Sequence, residues 1–228
     1  MHAGSSSQLW LPNRFSGMVA WWDTSIVGNI TTVAGNKVTT ILDRLGTGNN
    51  LVQATDSFRS LSGTRTQNGY NVIDSDGIDD YLTCVGLIVP QPYTLFIVAG
   101  NDDGANSTTQ TLVDSASTGA SRTGKSTTNT WVFNAQNSGT GVSVGTVDTA
   151  AHVHTAVGNA TSRRRVDGVG AGAAWGTQGL VGIKIGRRWN DTDAWNGWWG
   201  EPILFNRELV TAEMHRIEDY YKAKYGTP

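Results

Sequence analysis

The chain has 228 residues, of which 16% are charged and 28 are glycine, and its formal net charge at pH 7 is -2. All-β domains commonly reach this length as one unit, and the Gly-rich, charge-poor balance is typical of short strands joined by turns. The near-neutral charge argues against a nucleic-acid partner. Cys84 stands alone, so it has no partner for an internal disulfide, and no apolar run approaches the roughly 18 residues of a membrane span.

The first 16 residues are polar and small except for an apolar group formed by Leu9, Trp10 and Leu11. Such a segment is typical of an arm outside the main domain, and it lacks the basic and apolar regions of a secretion signal. We therefore divide the chain into an N-terminal arm, residues 1–16, and a domain, residues 17–228. The three apolar residues of the arm are the candidate docking point for a partner protein.

Strand signals begin near residue 18 and continue through most of the chain. The β-branched runs at residues 30–33 and 37–41 flank a turn with Asn and Gly, which is typical of a hairpin. Residues 93–99 form a nearly continuous apolar stretch, as expected for a central strand covered on both faces. Residues 104–130 are rich in Ser, Thr, Gly and Asn, and they predict exposed loops around one short strand.

Two further features lie in the second half of the chain. Residues 152–157 alternate so that Val153, Thr155 and Val157 share one face of a strand. The three arginines at 163–165 are the one local concentration of positive charge. They are typical of a solvated strand edge, with an anion-binding patch as the alternative.

The hydrophobic period changes near the C-terminus. Apolar residues recur there at helical spacing, namely Met214, Ile217, Tyr221 and Tyr225. We predict a helix over residues 212–224, with Thr211 as its N-cap and Gly226 where it stops. This helix closes the domain.

Several segments, taken in order, resemble the laminin-G-like jelly rolls of the concanavalin A-like lectin/glucanase superfamily, especially the form frequent in tailed-bacteriophage virion proteins. They are VAWWD at 19–23, GNNL at 48–51, DGIDDYL at 76–82, VDG at 166–168 and GEPILFNREL at 200–209. The resemblance covers most of the chain. It implies an all-β fold, namely a two-sheet antiparallel jelly-roll sandwich (concanavalin A-like) with one C-terminal α-helix.

The carboxylate pattern of the superfamily's enzymes is missing. Its glucanases place Glu-x-Asp-x-Glu on one strand, so that alternate carboxylates project into the same groove. Here all four glutamates fall within residues 201–218, at the end of the chain. We therefore predict that the protein is not an enzyme and has no catalytic residues.

A cluster of aspartates, Asp74, Asp76, Asp79 and Asp80, has two interpretations. Clustered carboxylates on a tight loop suit calcium, although the spacing does not fit an EF-hand. Turn aspartates also accept backbone N–H groups where a strand begins, and the resemblance favours this role. The prediction is no cofactor and no metal, with calcium as the alternative.

One loop has the composition of a sugar-binding site: Arg188, Trp189, Asn190, Asp191 and Asp193. Sugar rings stack on indoles, and their hydroxyls pair with Asp, Asn and Arg side chains. These five residues are the candidate carbohydrate-binding site. The alternative is that Trp189 packs the edge of the sandwich while Arg188 pairs with Asp191 or Asp193.

The resemblance, the arm and the missing carboxylate strand together predict a non-enzymatic bacteriophage virion protein, either a tail fibre or a head decoration. It would be made in the host cytoplasm and incorporated into the virion. The expected partners are other virion proteins, host-surface glycans and further copies of the chain in a homo-oligomer; neither nucleic acid nor membrane insertion is expected. The alternatives are a free carbohydrate-binding lectin module and, after it, a glycoside hydrolase.

Overall fold

The computed structural model describes residues 11–117, 121–135, 141–173 and 176–228. These residues form 17 β-strands, one α-helix and three short 3-10 helices at Pro12–Arg14, Val27–Asn29 and Asp56–Phe58. The first nine strands are β1 (Met18–Trp21), β2 (Ile30–Val33), β3 (Lys37–Ile41), β4 (Leu51–Val52), β5 (Leu61–Gln67), β6 (Tyr70–Asp76), β7 (Leu82–Val89), β8 (Tyr93–Asn101) and β9 (Gln110–Asp114). The others are β10 (Arg122–Lys125), β11 (Thr130–Asn134), β12 (Val142–Thr146), β13 (His152–Gly158), β14 (Arg163–Val166), β15 (Val169–Gly172), β16 (Leu180–Ile185) and β17 (Asn196–Phe205), followed by helix α1 (Thr211–Tyr225).

The 17 strands of the described residues belong to one sheet. The first half of its pairing runs β15, β14, β13, β8, β17, β6, β5 and β3. The second half continues through β4, β7, β16, β9, β10, β11 and β12, while β1 lies beside β17 and β2 beside β3. The sheet curves until β12 packs against β14 and β15, which makes it a nearly closed barrel. We call the place where its two ends meet the seam.

This architecture contradicts the predicted two-sheet jelly-roll sandwich, whereas the all-β class and the single C-terminal helix are confirmed. The short strand β4 joins the two halves, because Val52 pairs with Thr40 of β3 on one side and with Thr83 of β7 on the other. Backbone hydrogen bonding therefore continues around the molecule. Hydrophobic alternation predicts that strands exist and which face of each is buried, but it does not determine which strands pair.

Strand β8 is buried on both faces. All nine of its residues are buried. Leu95, Ile97 and Ala99 belong to the apolar cluster inside the curved sheet, while Phe96 and Val98 belong to a second cluster that includes the apolar face of α1. The prediction of a central, covered strand at residues 93–99 is confirmed.

Helix α1 covers the outer face of the sheet with the four apolar residues that its spacing predicted, and all four are buried. The helix begins after Val210, whose N–H donates to the Glu213 carboxylate at 3.0 Å. Thr211 is therefore the first helical residue, and the prediction that it is the N-cap is wrong. Gly226, with a φ of 67°, ends the helix. Within the described ranges, no helix is long and apolar enough to cross a bilayer.

A buried group of polar side chains fastens α1 to the sheet. Glu201 of β17 is fully buried. Its carboxylate accepts hydrogen bonds from Trp21 Nε1 at 2.8 Å, Tyr220 Oη at 2.7 Å, Lys224 Nζ at 2.6 Å and Tyr225 Oη at 3.0 Å. The Lys224 ammonium supplies a compensating charge, and both carboxylate oxygens accept two hydrogen bonds each. We call these five residues the Glu201 cluster.

Candidate functional site

Two loops that carry the predicted site residues lie side by side. Strands β7 and β16 are antiparallel neighbours, with Leu82 at the start of β7 opposite Ile185 at the end of β16. The turn before β7 and the loop after β16 therefore lie next to each other, at the same end of these two strands. We call them the acidic turn, residues 76–80, and the Trp189 loop, residues 187–193.

Three carboxylates converge in the acidic turn. Carboxylate oxygens of Asp76, Asp79 and Asp80 lie within 4.8 Å of one another. Asp80 Oδ2 accepts the Asp76 N–H at 3.2 Å, and Asp76 Oδ1 accepts the Ile78 N–H at 2.8 Å, as expected of turn aspartates. Burial, together with the charge of Asp76, raises the pKa of Asp80 to about 7. Asp74 lies apart from this group and pairs with Arg65.

Asp114, the last residue of β9, holds the backbone of the Trp189 loop. Asp114 is fully buried, and its carboxylate accepts the backbone N–H of Trp189 at 3.2 Å and that of Ser115 at 2.8 Å. Burial raises the pKa of Asp114 to about 6. This carboxylate fixes the backbone that carries the Trp189 indole.

Ion pairs hold most of the charged groups of the loop. Arg188 pairs with Asp193 at 3.1 Å, and Lys184 of β16 pairs with Asp191 at 2.7 Å. Asn190 accepts the hydroxyl hydrogen of Thr192. Trp189 is half-buried, and the side chain of Asp191 keeps 57% of its surface exposed. The structure thus shows the pairing of Arg188 with Asp193, while Trp189 keeps part of its surface accessible.

Arg187 connects the two loops. Its Nη1 donates to the backbone oxygen of Asp79 at 3.4 Å and lies 4.0 Å from Asp191 Oδ1. The backbone at Gly186 passes very close to the backbone of Asp80, since a Cβ on Gly186 would lie 2.8 Å from the carbonyl oxygen of Asp80. Gly186 also has a φ of +99°, a conformation that favours glycine. Glycine at this position lets the loop and the turn pack together.

This arrangement places a half-buried Trp on a fixed backbone next to accessible carboxylates and an amide, which is the chemistry that sugar hydroxyls and ring faces require. The three carboxylates of the acidic turn also suit a hard cation, although Ca²⁺ takes about six to eight oxygen ligands, so water or a bound hydroxyl would supply the rest. Sequence reasoning missed the supporting residues Asp114, Lys184 and Arg187. They were hidden because their role depends on strand pairing and not on a local motif.

The predicted docking residues of the arm are placed only in part. Leu9 and Trp10 lie outside the described residues. Leu11 is half-buried and packs against the apolar cluster beneath α1. Leu11 therefore contacts its own domain.

A groove of about 330 Å³ lies between α1 and the β14–β15 turn, away from the Trp189 loop. Its polar lining consists of Asp167, His215, Glu218, Asp219, Lys222 and Thr227. Glu218 is engaged by Arg165 at 2.8 and 2.9 Å, and Asp167 is engaged by His152. The lining residues include no Trp, Tyr or Phe, so the groove lacks the stacking surface that the Trp189 loop provides.

Comparison with known proteins identifies the fold but no family. No family model and no curated protein sequence matches the chain. The structure is similar to a Trypanosoma rangeli sialidase in complex with sialic acid, with a TM-score of 0.64 and 13% identity over 94% of this chain and 34% of the sialidase. It is also similar to a GH54 α-L-arabinofuranosidase, with a TM-score of 0.58 and 14% identity over 83% of this chain and 51% of that enzyme. A structure of arabinofuranosidase complexed with arabinofuranosyl-alpha-1,2-xylobiose gives a TM-score of 0.56 at 13% identity.

These findings define the class as an all-β fold shared with carbohydrate-active enzymes, and the chain spans only about a third to a half of those proteins. They contradict the predicted non-enzymatic virion protein, because the similar structures are enzymes and nothing in the comparisons points to a phage protein. The prediction that the chain is not an enzyme is overturned on the same ground. The alternative, a carbohydrate-binding module or glycoside hydrolase, is better supported.

Proposed function

We propose that the chain is a carbohydrate-active domain that binds a saccharide at the Trp189 loop. The observation that carries the proposal is the half-buried Trp189, whose backbone is held by Asp114, beside the exposed residues Asn190 and Asp191. A sugar ring stacks on the indole, and its hydroxyls donate to the Asp191 carboxylate. Because the loop is already fixed by ion pairs, binding costs little ordering entropy.

The test is a glycan array followed by calorimetry on the glycans that bind. Trp189→Ala is expected to weaken binding about tenfold or more, since loss of aromatic stacking removes roughly 1 kcal/mol or more. Tyr70→Ala is the matched control, because it removes a ring that is 37% exposed outside this site. Absence of glycan binding by the intact chain, or equal weakening by both substitutions, would contradict the proposal.

A specific observation favours glycoside hydrolysis as a second function. Asp80 and Asp76 have carboxylate oxygens no more than 4.8 Å apart, and retaining glycosidases also use two neighbouring carboxyl groups, about 5 Å apart. With a pKa of about 7, Asp80 holds a proton in a good fraction of molecules at neutral pH. In this proposal Asp80 protonates the leaving oxygen while Asp76 attacks the anomeric carbon, and water then releases the sugar from Asp76.

Hydrolysis is tested by reducing-end release from the glycans bound on the array, with Ca²⁺ and with a chelator in parallel. Asp76→Asn and Asp80→Asn are each expected to lower turnover at least about a hundredfold. Asp74→Asn alters a neighbouring aspartate outside the acidic turn, and this variant is expected to keep its turnover. Binding without turnover would reject hydrolysis and leave the binding proposal intact, and dependence on Ca²⁺ would assign the three carboxylates to a cation instead.

A further inference from the structure

Arg164 is a buried cation without a counter-ion. Its side chain is fully buried at the seam. The neighbouring arginines behave differently, since Arg163 pairs with Glu208 and Arg165 with Glu218. Every Asp and Glu of the chain lies within the described residues, and none of them forms an ion pair or hydrogen bond with Arg164. The prediction of a solvated strand edge is therefore wrong for this residue.

The one hydrogen-bond partner of Arg164 among the described residues is His154 of β13, whose Nδ1 lies 2.6 Å from Arg164 Nη2. Since an arginine only donates, His154 Nδ1 accepts and the imidazole carries its proton on Nε2. Burial, together with the charge of Arg164, lowers the pKa of His154 well below its ordinary value, so the ring is neutral. The pair thus retains the full positive charge of the guanidinium.

Three donor groups of this pair have no acceptor within the described part of the chain: Arg164 Nε, Arg164 Nη1 and His154 Nε2. Each buried N–H without a partner costs about 1–3 kcal/mol, and more when it belongs to a charged group. Donors are present and acceptors are missing. The chemistry that completes such a site is a small negatively charged acceptor.

The cross-strand neighbours of Arg164 are Ala156 on β13 and Ala171 on β15, both with small side chains on the same face of the sheet. Trp131 of β11, which belongs to the apolar cluster inside the curved sheet, lies with its ring centre 4.7 Å from that of His154. The Arg164 side chain is buried, which strengthens any charge pairing formed there.

We propose that the seam binds a monovalent inorganic anion, with a halide as the best match, against the free N–H groups of the Arg164 guanidinium. A single negative charge balances the single positive charge of Arg164, whereas a divalent oxyanion would leave an excess. A halide accepts hydrogen bonds from several directions at once. A neutral water would fill the space but would leave the buried charge uncompensated.

The test is thermal unfolding of the full chain at constant ionic strength while sodium gluconate is replaced by sodium chloride or bromide. A tenfold excess of halide over its dissociation constant is expected to raise the midpoint by about 3–6 °C, and higher concentrations raise it further with the logarithm of the halide concentration. Arg164→Met abolishes this dependence, while Arg163→Met, which removes the neighbouring cation, retains it. A wild-type midpoint that does not respond to halide overturns the proposal.

Bromide-soaked crystals of the wild-type chain provide a measurement that does not depend on any variant folding. An anomalous peak within hydrogen-bonding distance of the Arg164 guanidinium is expected. Density there without anomalous signal identifies a water and rejects the anion. A bromide bound only at the protein surface rejects it equally.

Discussion

The Glu201 cluster and the Arg164–His154 pair are both polar groups buried in an apolar molecule, yet they are built in opposite ways. Glu201 receives four hydrogen bonds and lies 2.6 Å from the Lys224 ammonium, which also reaches Asp23 at 3.1 Å. Arg164 receives one partner, and that partner is neutral. A buried charge that the chain itself compensates is part of the scaffold, whereas one that it leaves uncompensated indicates a ligand.

Asp80 shows a third solution, in which the buried group neutralises itself. Burial and the negative charge of Asp76 raise its pKa to about 7, so the carboxyl holds a proton over much of the pH range. Arginine does not have this option near neutral pH. Burial lowers the pKa of Arg164 to about 9, and the guanidinium is still charged at pH 7. An external anion is the remaining means of compensation.

The largest expected effect comes from breaking the compensated cluster. Glu201→Gln leaves the Lys224 ammonium buried with Asp23 as its remaining partner, and it turns an acceptor toward Tyr220 and Tyr225 into a partial donor. We expect a loss of about 3–5 kcal/mol in the free energy of unfolding, measured by urea denaturation. Glu208→Gln, which breaks a half-exposed pair with Arg163, is expected to cost less than about 1 kcal/mol. Equal losses would show that burial does not distinguish the two pairs.

A smaller effect of opposite sign is expected at Asp80. Its folded-state pKa of about 7 lies above the unfolded value of 3.8, so the stability that the proton supplies is present below pH 4 and is lost as the pH rises through 7. Asp80→Asn keeps the group neutral at all pH values. It is expected to stabilise the chain by about 1–2 kcal/mol at pH 8 and to change little at pH 4, as followed by unfolding at both pH values. Destabilisation at pH 8 would mean that the ionised carboxylate is needed in the fold, as a cation site would require.

His152 is the compensated counterpart of His154, two residues away on the same strand. Burial alone would lower its pKa, but hydrogen bonds and charges from Asp167 and Asp148 outweigh burial and raise it above 6.5. The stability from the imidazolium is therefore present below pH 6.5 and is lost as the pH rises through the folded-state pKa. His152→Gln is expected to remove this pH dependence, with a cost of about 1 kcal/mol at pH 6 that shrinks at pH 9. If His154→Gln changed the pH dependence of stability in the same way as His152→Gln, the assignment of the charge to His152 would be contradicted.

The sequence predicts many of the strands and their buried faces, but it does not predict which strands pair with one another. Alternation placed Val153 and Val157 on one face, and both pack in the cluster beneath α1. Alternation failed where strands carry polar residues: the loops predicted for residues 104–130 contain β10, in which Lys125 is fully buried. Such a strand is specified by the neighbours it pairs with, and those neighbours are distant in the chain.

The same limit applies to the site. The composition of residues 188–193 predicts sugar binding at the Trp189 loop because that chemistry is local in sequence, and this stays a prediction. The isolation of Arg164 was not visible, since the three consecutive arginines look alike until the fold assigns Glu208 and Glu218 to two of them. Which arginine lacks a carboxylate is decided by the face of β14 on which it lies.

The smallest change in stability is expected for Ala156→Asp. This substitution is also the sharpest test of the difference between the Glu201 cluster and the Arg164–His154 pair, because it gives the buried Arg164 a carboxylate partner. Ala156 is the cross-strand partner of Arg164, so Ala156→Asp places a carboxylate on the same face directly beside the guanidinium. The desolvation cost of the new charge offsets most of its attraction, and we expect a net change within about 1 kcal/mol in gluconate buffer. Halide titration of this variant is expected to produce no rise in the unfolding midpoint, since the carboxylate takes the place of the anion. Ala151→Asp, a control substitution before the start of β13, should respond to halide as the wild-type chain does. If Ala156→Asp also retains the halide response, the anion binds somewhere other than Arg164, and the distinction between the two buried clusters loses its functional meaning.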